Sequence, residues 1–187
     1  MTAPAASLAQ QKADPRSGKY LAFYLGNEEF AIQVLRVREI VGVLEINAVP
    51  QTPDYVKGVV NLRGKVVPVV DLRLKFGLPE LEYTQRTCVI VVQIEVVHGE
   101  VAHSEPATGP GLRGPGRSGR FEIGIIVDGV SEVLTLQAGD IENTPDFGSG
   151  VAIPYLLGMA KIKGKVKILL DINRVLSAQE AAGLGSL

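Results

Sequence analysis

Two stretches of this chain spell nearly the same phrase. Tyr55–Leu72, YVKGVVNLRGKVVPVVDL, and Tyr155–Ile172, YLLGMAKIKGKVKILLDI, share Tyr, Gly, Gly-Lys-Val and Asp in register at an offset of 100. A second echo lies upstream, where Phe30–Val41 aligns with Ile123–Leu134 at an offset of 93. It sets Ile32 on Ile125, Val34 on Val127, Val37 on Val130, Glu39 on Glu132 and Ile40 on Val133. A unit of this size cannot bury enough apolar surface alone, so two copies must share a core. Each unit carries about five short strands, and so narrow a sheet closes most readily by curling into a small barrel. The junction of two such barrels leaves a groove lined by aliphatic side chains. That is a place for a protein partner, since a small ligand needs more convergent polar groups.

Composition agrees with strands. Hydrophobic residues make up 46% of the chain, yet aromatics are only 5% and Trp is absent, so the core must be aliphatic. Richness in β-branched residues favours strands over helices. The formal charge of −1 supplies no global field for nucleic acid or an anionic membrane. Cys88 is the single cysteine, which excludes an internal disulfide and cannot alone make a zinc site. No run approaches the roughly 20 apolar residues of a membrane helix. The opening residues lack the apolar stretch of a signal peptide, so a cytoplasmic, reducing setting is expected.

Turn signals divide the rest. Residues 1–18 read as a disordered tail. Gly26-Asn27 marks a hairpin between Tyr20–Gly26 and Glu29–Ile32, followed by a helical turn within Gln33–Arg38 and a strand over Glu39–Ile46. Thr52-Pro53-Asp54 has the form of a helix start, with Thr as N-cap and Pro at the first position. A hairpin pivots on Arg63-Gly64, and Pro68 demands an edge or a bulge in its strand. Thr87–Val97 and Arg120–Val130 pair as a further hairpin. Between them His98–Arg120, crowded with Gly, Pro and Ser, reads as a mobile insertion. The spelling Gly109-x-Gly111-x-x-Gly114 inside it mimics a dinucleotide loop, but Pro110 and Pro115 deny it the strand-to-helix context it requires. Ile172–Gly183 reads as one helix, with Asp171 as N-cap and Gly183 as C-cap.

The search for catalytic chemistry yields nothing. His98 and His103 sit in the insertion, without the rigid support that a ligand or base needs. Cys88 opens an apolar strand and reads as a small hydrophobe. Asp71, Asp128 and Asp171 each close a strand, where Asp serves turns and caps. There is no serine elbow and no Walker loop, and no cofactor or metal is called for. Arg63 is either a solvated turn charge or a fork aimed at a carboxylate, a role Lys163 in the second copy cannot match.

Thr52–Leu78, TPDYVKGVVNLRGKVVPVVDLRLKFGL, closely resembles the signature of the CheW family of chemotaxis coupling proteins and the related regulatory domain of the histidine kinase CheA. YLAFYLGNEEFAIQVLRVREIV, from Tyr20, is similar to that family's opening hairpin, and IGIIVDGVSEVLTL, from Ile123, to its central strand. The resemblance implies a mainly β fold of two intertwined five-stranded SH3/OB-like barrels over residues 19–180, with short helices, a C-terminal helix, a flexible insertion at 98–120 and a tail at 181–187. It implies a non-catalytic adaptor in the cytoplasm, linking chemoreceptor cytoplasmic tips to the regulatory domain of a CheA-type kinase. Such a protein is a monomer alone and is assembled in arrays through its partners. It binds no nucleic acid and does not insert in the membrane. A relative serving a non-flagellar pathway is the alternative within the family. A single-strand nucleic-acid binder is a remote one, lacking both stacking aromatics and a basic groove. The family's ion pair beside the receptor groove maps onto Arg63 and Glu39. Val37, Gly58 and Cys88 fall where coupling to partners is sensitive. Two departures stand out: Cys88, where the family has a small aliphatic residue, and the long insertion, where it makes a tight hairpin.

Overall fold

Gly26, with φ 63°, lets the chain reverse in two residues, so that β1 (Gly18–Leu25) and β2 (Glu28–Gln33) pair with Leu25 opposite Glu28. The computed structural model describes residues 14–96, 119–144 and 153–184. After β2 a 3-10 turn at Val34–Arg36 redirects the chain into β3 (Val37–Gly42). The hairpin β4 (Val56–Leu62) and β5 (Lys65–Asp71) follows, and then the single turn of α1 (Leu72–Lys75). β6 (Cys88–Val96) pairs antiparallel with β7 (Gly119–Val127), from Cys88 opposite Val127 to Val96 opposite Gly119. The chain goes on through β8 (Gly129–Leu136), β9 (Ile141–Glu142), β10 (Leu156–Ile162) and β11 (Lys165–Leu170). It ends in α2 (Ile172–Val175) and α3 (Ala178–Leu184). The insertion expected at 98–120 lies almost wholly outside the described residues.

The described strands form two sheets, ordered β8-β1-β2-β11-β10-β9 and β3-β6-β7-β5-β4. Without the short β9 they have one plan. In each an antiparallel trio joins a hairpin through a parallel ladder, β2 with β11 in one and β7 with β5 in the other. The sequence repeat does not respect the sheets. β1 and β2 sit in the first sheet while β3, β4 and β5, next in the chain, build the second; β6 and β7 complete the second, and β8 to β11 return to the first. Each half of the chain therefore lends two strands to the other.

Strand alternation sends side chains to opposite faces, and both faces find cores. Tyr20 and Ala22 of β1 pack with Ala31, Leu134, Leu136 and Leu169 within the first sheet, and Val89 and Val91 of β6 pack with Val60, Val67 and Val69 within the second. The intervening residues, Leu21, Phe23 and Leu25 on β1 and Ile90, Val92 and Ile94 on β6, meet between the sheets. That shared core joins the two units.

The repeated phrase can now be read position by position. The Tyr55 and Tyr155 carbonyls accept the Asp71 and Asp171 amides at 2.7 and 2.8 Å. A register shift falls before Gly58 in one hairpin and before Gly158 in the other. Arg63-Gly64 and Lys163-Gly164 make the two tips, with φ of 53° and 86° in the first and 49° and 78° in the second, as a type I′ reversal requires. The carboxylates of Asp71 and Asp171 cap α1 and α2. Pro68 loses nothing, because β5 meets β7 only from Val69 onward.

Several local expectations are corrected. Thr52-Pro53-Asp54 starts no helix: the Val56 amide bonds to the Pro53 carbonyl, closing a turn that leads directly into β4, and the Thr52 hydroxyl donates to the Val49 carbonyl. The C-terminal helix is two helices, because Ser177 restarts it. The Ser177 amide donates to the Glu180 carboxylate at 2.7 Å and the Glu180 amide to the Ser177 hydroxyl at 3.2 Å, a reciprocal cap. Gly183 thus lies inside α3, and Ala181 and Leu184, expected in a C-terminal tail, are buried. At the other end Arg16, placed with the N-terminal tail, donates to Asn143 and to the Leu157 carbonyl.

Candidate functional site

The β4–β5 tip is held by its own sequence. The Asn61 carboxamide accepts the Gly64 amide at 2.7 Å, which fixes the reversal and leaves the Arg63 side chain 83% exposed. Arg63 nevertheless reaches β3, where it donates one hydrogen bond to Glu39 at 2.8 Å. The contact is single rather than the two-pronged fork that Arg can offer. Beside it Lys65 pairs with Glu122 of β7 at 2.8 Å. β3 and β4 are the outer strands of this sheet, and the Arg63–Glu39 pair links the tip that follows β4 to β3.

Val37 lies two residues before Glu39 on β3 and packs half-buried against the inter-sheet core opposite Val92. Cys88 begins β6 opposite Gly42, also half-buried, and burial pushes its thiol up, only partly offset by the Val130 backbone. That is the behaviour of an inert packing residue, not of a nucleophile. Gly58 is buried on β4, at the end of the hairpin away from the tip. The structure thus brings Arg63 onto Glu39, with Val37 close by on β3, whereas Cys88 stands at the far end of the β3–β6 ladder, opposite Gly42, and Gly58 at the far end of the hairpin.

The junction of the sheets does carry a groove, of about 500 Å³. It is lined by Leu25, Met159 and Ile168, as the aliphatic reading requires, but also by Phe30, Phe76 and Tyr155, whose rings succeed one another at 5.7 and 4.9 Å. None of the five expected site residues lines it.

The second tip departs from the first at one buried position. Val67, fully buried on β5, is replaced by Lys167 on β11, and the Lys167 side chain is only 3% exposed. Its ammonium donates to Glu29 of β2, directly across the parallel ladder, and to Glu132 of β8 at 3.3 Å. Hydrogen bonding to Lys167 holds the Glu29 carboxyl below its usual range against the opposing effect of burial. Burial pulls the Lys167 ammonium down, but the two carboxylates outweigh it and leave it raised. Lys163 stands 4.0 Å from Glu132 and Lys165 3.6 Å from Glu29. Sequence reasoning missed Glu29 and Lys167. The signal was there: a charge at the place of Val67 in an otherwise matching buried strand.

Among the described residues no group of His, Cys, Asp and Glu is placed to hold a metal ion, and no helix is long and apolar enough to cross a membrane. Two β-sheets that exchange strands, with ion pairs at both hairpin tips, have the form of a scaffold for binding partners. Residues 19–180 match the family model of the CheW-like domain, and the chain belongs to that family. The chain is 38% identical to the chemotaxis protein CheW of Klebsiella aerogenes over 164 residues, covering 88% of this chain and 84% of that one. It is 31% identical to CheW of Rhizobium meliloti over 160 residues, 86% of this chain and 88% of the other. The crystal structure of the scaffolding protein TtCheW from Thermoanaerobacter tengcongensis superposes with a TM-score of 0.67 at 26% identity, covering 88% of this chain and 97% of that one.

Proposed function

We propose that this chain is a non-catalytic adaptor that couples the cytoplasmic tips of chemoreceptors to the regulatory domain of a CheA-type histidine kinase, working in the cytoplasm at receptor arrays. Membership of the CheW-like family supports a chemosensory scaffold. The observation that carries the finer reading is the exposed Arg63–Glu39 pair, held out on a rigid tip and flanked by Val37 on the same strand as Glu39. An exposed pair of this kind contributes only about 0–1 kcal/mol to folding, so its value lies in recognition. At an interface an arginine can carry about 2 kcal/mol or more. Val37, Glu39, Gly58, Arg63 and Cys88 form or support that face.

The test uses the full chain with a receptor-tip fragment and with a kinase regulatory domain, each immobilised separately. Binding to both, and recruitment of the kinase domain to the receptor fragment only when this chain is present, supports the coupling role. Binding to neither overturns it.

A further inference from the structure

The two hairpin tips are equivalent in backbone and unequal in charge. At the first, Arg63 pairs with Glu39 and Lys65 with Glu122, and position 67 is a valine, so two cations meet two carboxylates. At the second, three lysines, at positions 163, 165 and 167, share Glu29 and Glu132, and a fourth, Lys161, stands beside them. Lys167 is the residue that tilts the balance. From its buried position it engages both carboxylates, leaving Lys163 at the outer limit of ion pairing and Lys165 at 3.6 Å. Lys161 stands where the first copy has Asn61, and among the described residues it has no ion-pair partner. It lies directly across the β10–β11 ladder from Val166, which is 50% exposed. The corresponding Asn61 faces Val66 across the first hairpin, so the apolar spot is common to both tips and only the second surrounds it with charge.

We infer that the β10–β11 tip is a second docking surface, built for an acidic protein segment that carries an aliphatic side chain among its carboxylates. Charge complementarity around an exposed valine would recognise such a segment. Lys161, Lys163 and Lys165 are exposed cations which, with Lys167, outnumber Glu29, Glu132 and the Glu28 that shares a hollow with Lys165 and Val166, and they desolvate little on pairing because they sit at a rim. β10 and β11 carry no aromatic side chain, and Tyr24, which lines a hollow with Lys165 and Val166, is half-buried with its hydroxyl accepting from Ser131, which speaks against the base stacking that nucleic acid would require. The surface is separate from the Arg63–Glu39 face and does not depend on what that face binds.

The test is fluorescence anisotropy of the full chain with a labelled peptide rich in Glu with interspersed Val, at low ionic strength where exposed charges are least screened. The same peptide with Gln for every Glu, a single-stranded oligonucleotide and vesicles containing an anionic lipid serve as competing probes. The acidic peptide should bind, weaken steeply with added salt, and lose about tenfold in affinity when Lys161, Lys163 and Lys165 are all changed to Gln, the combined effect of three exposed ion pairs. Val166→Ser should weaken it further, and Arg63→Gln with Lys65→Gln should leave it unchanged. The changed side chains are exposed, and an unaltered melting curve checks that the fold survives. No binding of the acidic peptide to the unaltered chain would overturn the inference. So would equal binding of the Gln peptide, equal sensitivity to Arg63 and Lys65, or tighter lysine-dependent binding of the oligonucleotide or the vesicles.

Discussion

Gly58 lies against the Asn47 carbonyl so closely that a Cβ on Gly58 would stand 2.1 Å from that oxygen. Asn47 and Val59 form a bridge alongside, exchanging amide-to-carbonyl bonds at 2.9 Å, so the obstacle is paired backbone and cannot swing aside. Gly158 repeats the arrangement, where an added Cβ would stand 2.5 Å from the Glu142 carbonyl oxygen. Gly58→Ala should therefore destabilise by about 3 kcal/mol or more, lowering the Tm by roughly 10 °C. Gly64 has only its φ of 86° to protect, with nothing within 4 Å of a new Cβ, so Gly64→Ala should cost about 1 kcal/mol. Thermal melts of the two variants decide it; equal losses would mean that the close approach is not what Gly58 serves. It also follows that a loss of partner binding on changing Gly58 reports first on the seating of the strand.

The exchange of strands predicts that the chain cannot be divided at its repeat. A fragment ending before Cys88 keeps β1 and β2 without β8 and β11, and keeps β3 without β6. Neither half should show a cooperative thermal transition alone, and mixing the two should restore one. Circular dichroism of each half and of the mixture checks this, and a cooperative melt from either half alone would contradict it.

Lys167 and Glu29 form a buried pair, and such a pair is costly to break from one side only. Lys167→Ala should lower stability by about 3–5 kcal/mol, because the Glu29 carboxylate is left buried with one cation fewer. The combination Glu29→Val with Lys167→Val, which installs the residue found at Val67, should recover most of that loss. Denaturant titration of the single and double variants measures both. A double variant no more stable than Lys167→Ala would show that the pair is stabilising in its own right.

Glu180 anchors α3 to the rest of the molecule by accepting bonds from Tyr55 and, at 2.6 Å, from Lys75. Burial opposes ionisation of Glu180, but the bonds from Lys75, Tyr55 and Ser177 win and hold its carboxyl down to about 2. A carboxyl depressed on folding contributes its full stability above its unfolded value, near 4.5, and loses it as pH falls towards 2. The wild-type Tm should thus fall more steeply than that of Glu180→Gln between those limits, and the two curves should run parallel at neutral pH, offset in favour of wild type. Parallel curves throughout the acid range would remove Glu180 from the acid response.

Much of the fold was legible because the repeat is written in residues with strict backbone duties. Gly58, Gly64 and Asp71 recur at 158, 164 and 171 since close approach, a positive φ and a helix cap admit few alternatives. The hairpins at Gly26-Asn27 and Arg63-Gly64 were readable for the same reason. Where local propensity stood alone it misled: Thr52-Pro53-Asp54 has the residues of a helix start, but Gly58 and the strand behind it leave no room for a helix. The break at Ser177 was hidden because a capping box can restart a helix within an unbroken amphipathic run. The Glu29–Lys167 pair joins residues 138 apart in sequence, and no local pattern announces such a partner. The exchange of strands is likewise invisible in the repeat, which looks the same whichever sheet each strand enters.

If Arg63 and Glu39 act together as a partner-binding face, a double-mutant cycle on binding will show their coupling. Affinity for the receptor-tip fragment and for the kinase regulatory domain would be measured for wild type, Arg63→Ala, Glu39→Ala and the double variant, with melting curves alongside. The expected result is an unchanged fold, a loss of about 2 kcal/mol or more in binding at least one partner for Arg63→Ala, and a double variant little worse than either single one, as a coupled pair requires. Arg63→Ala binding both partners as well as wild type, or losses that simply add, would contradict the account.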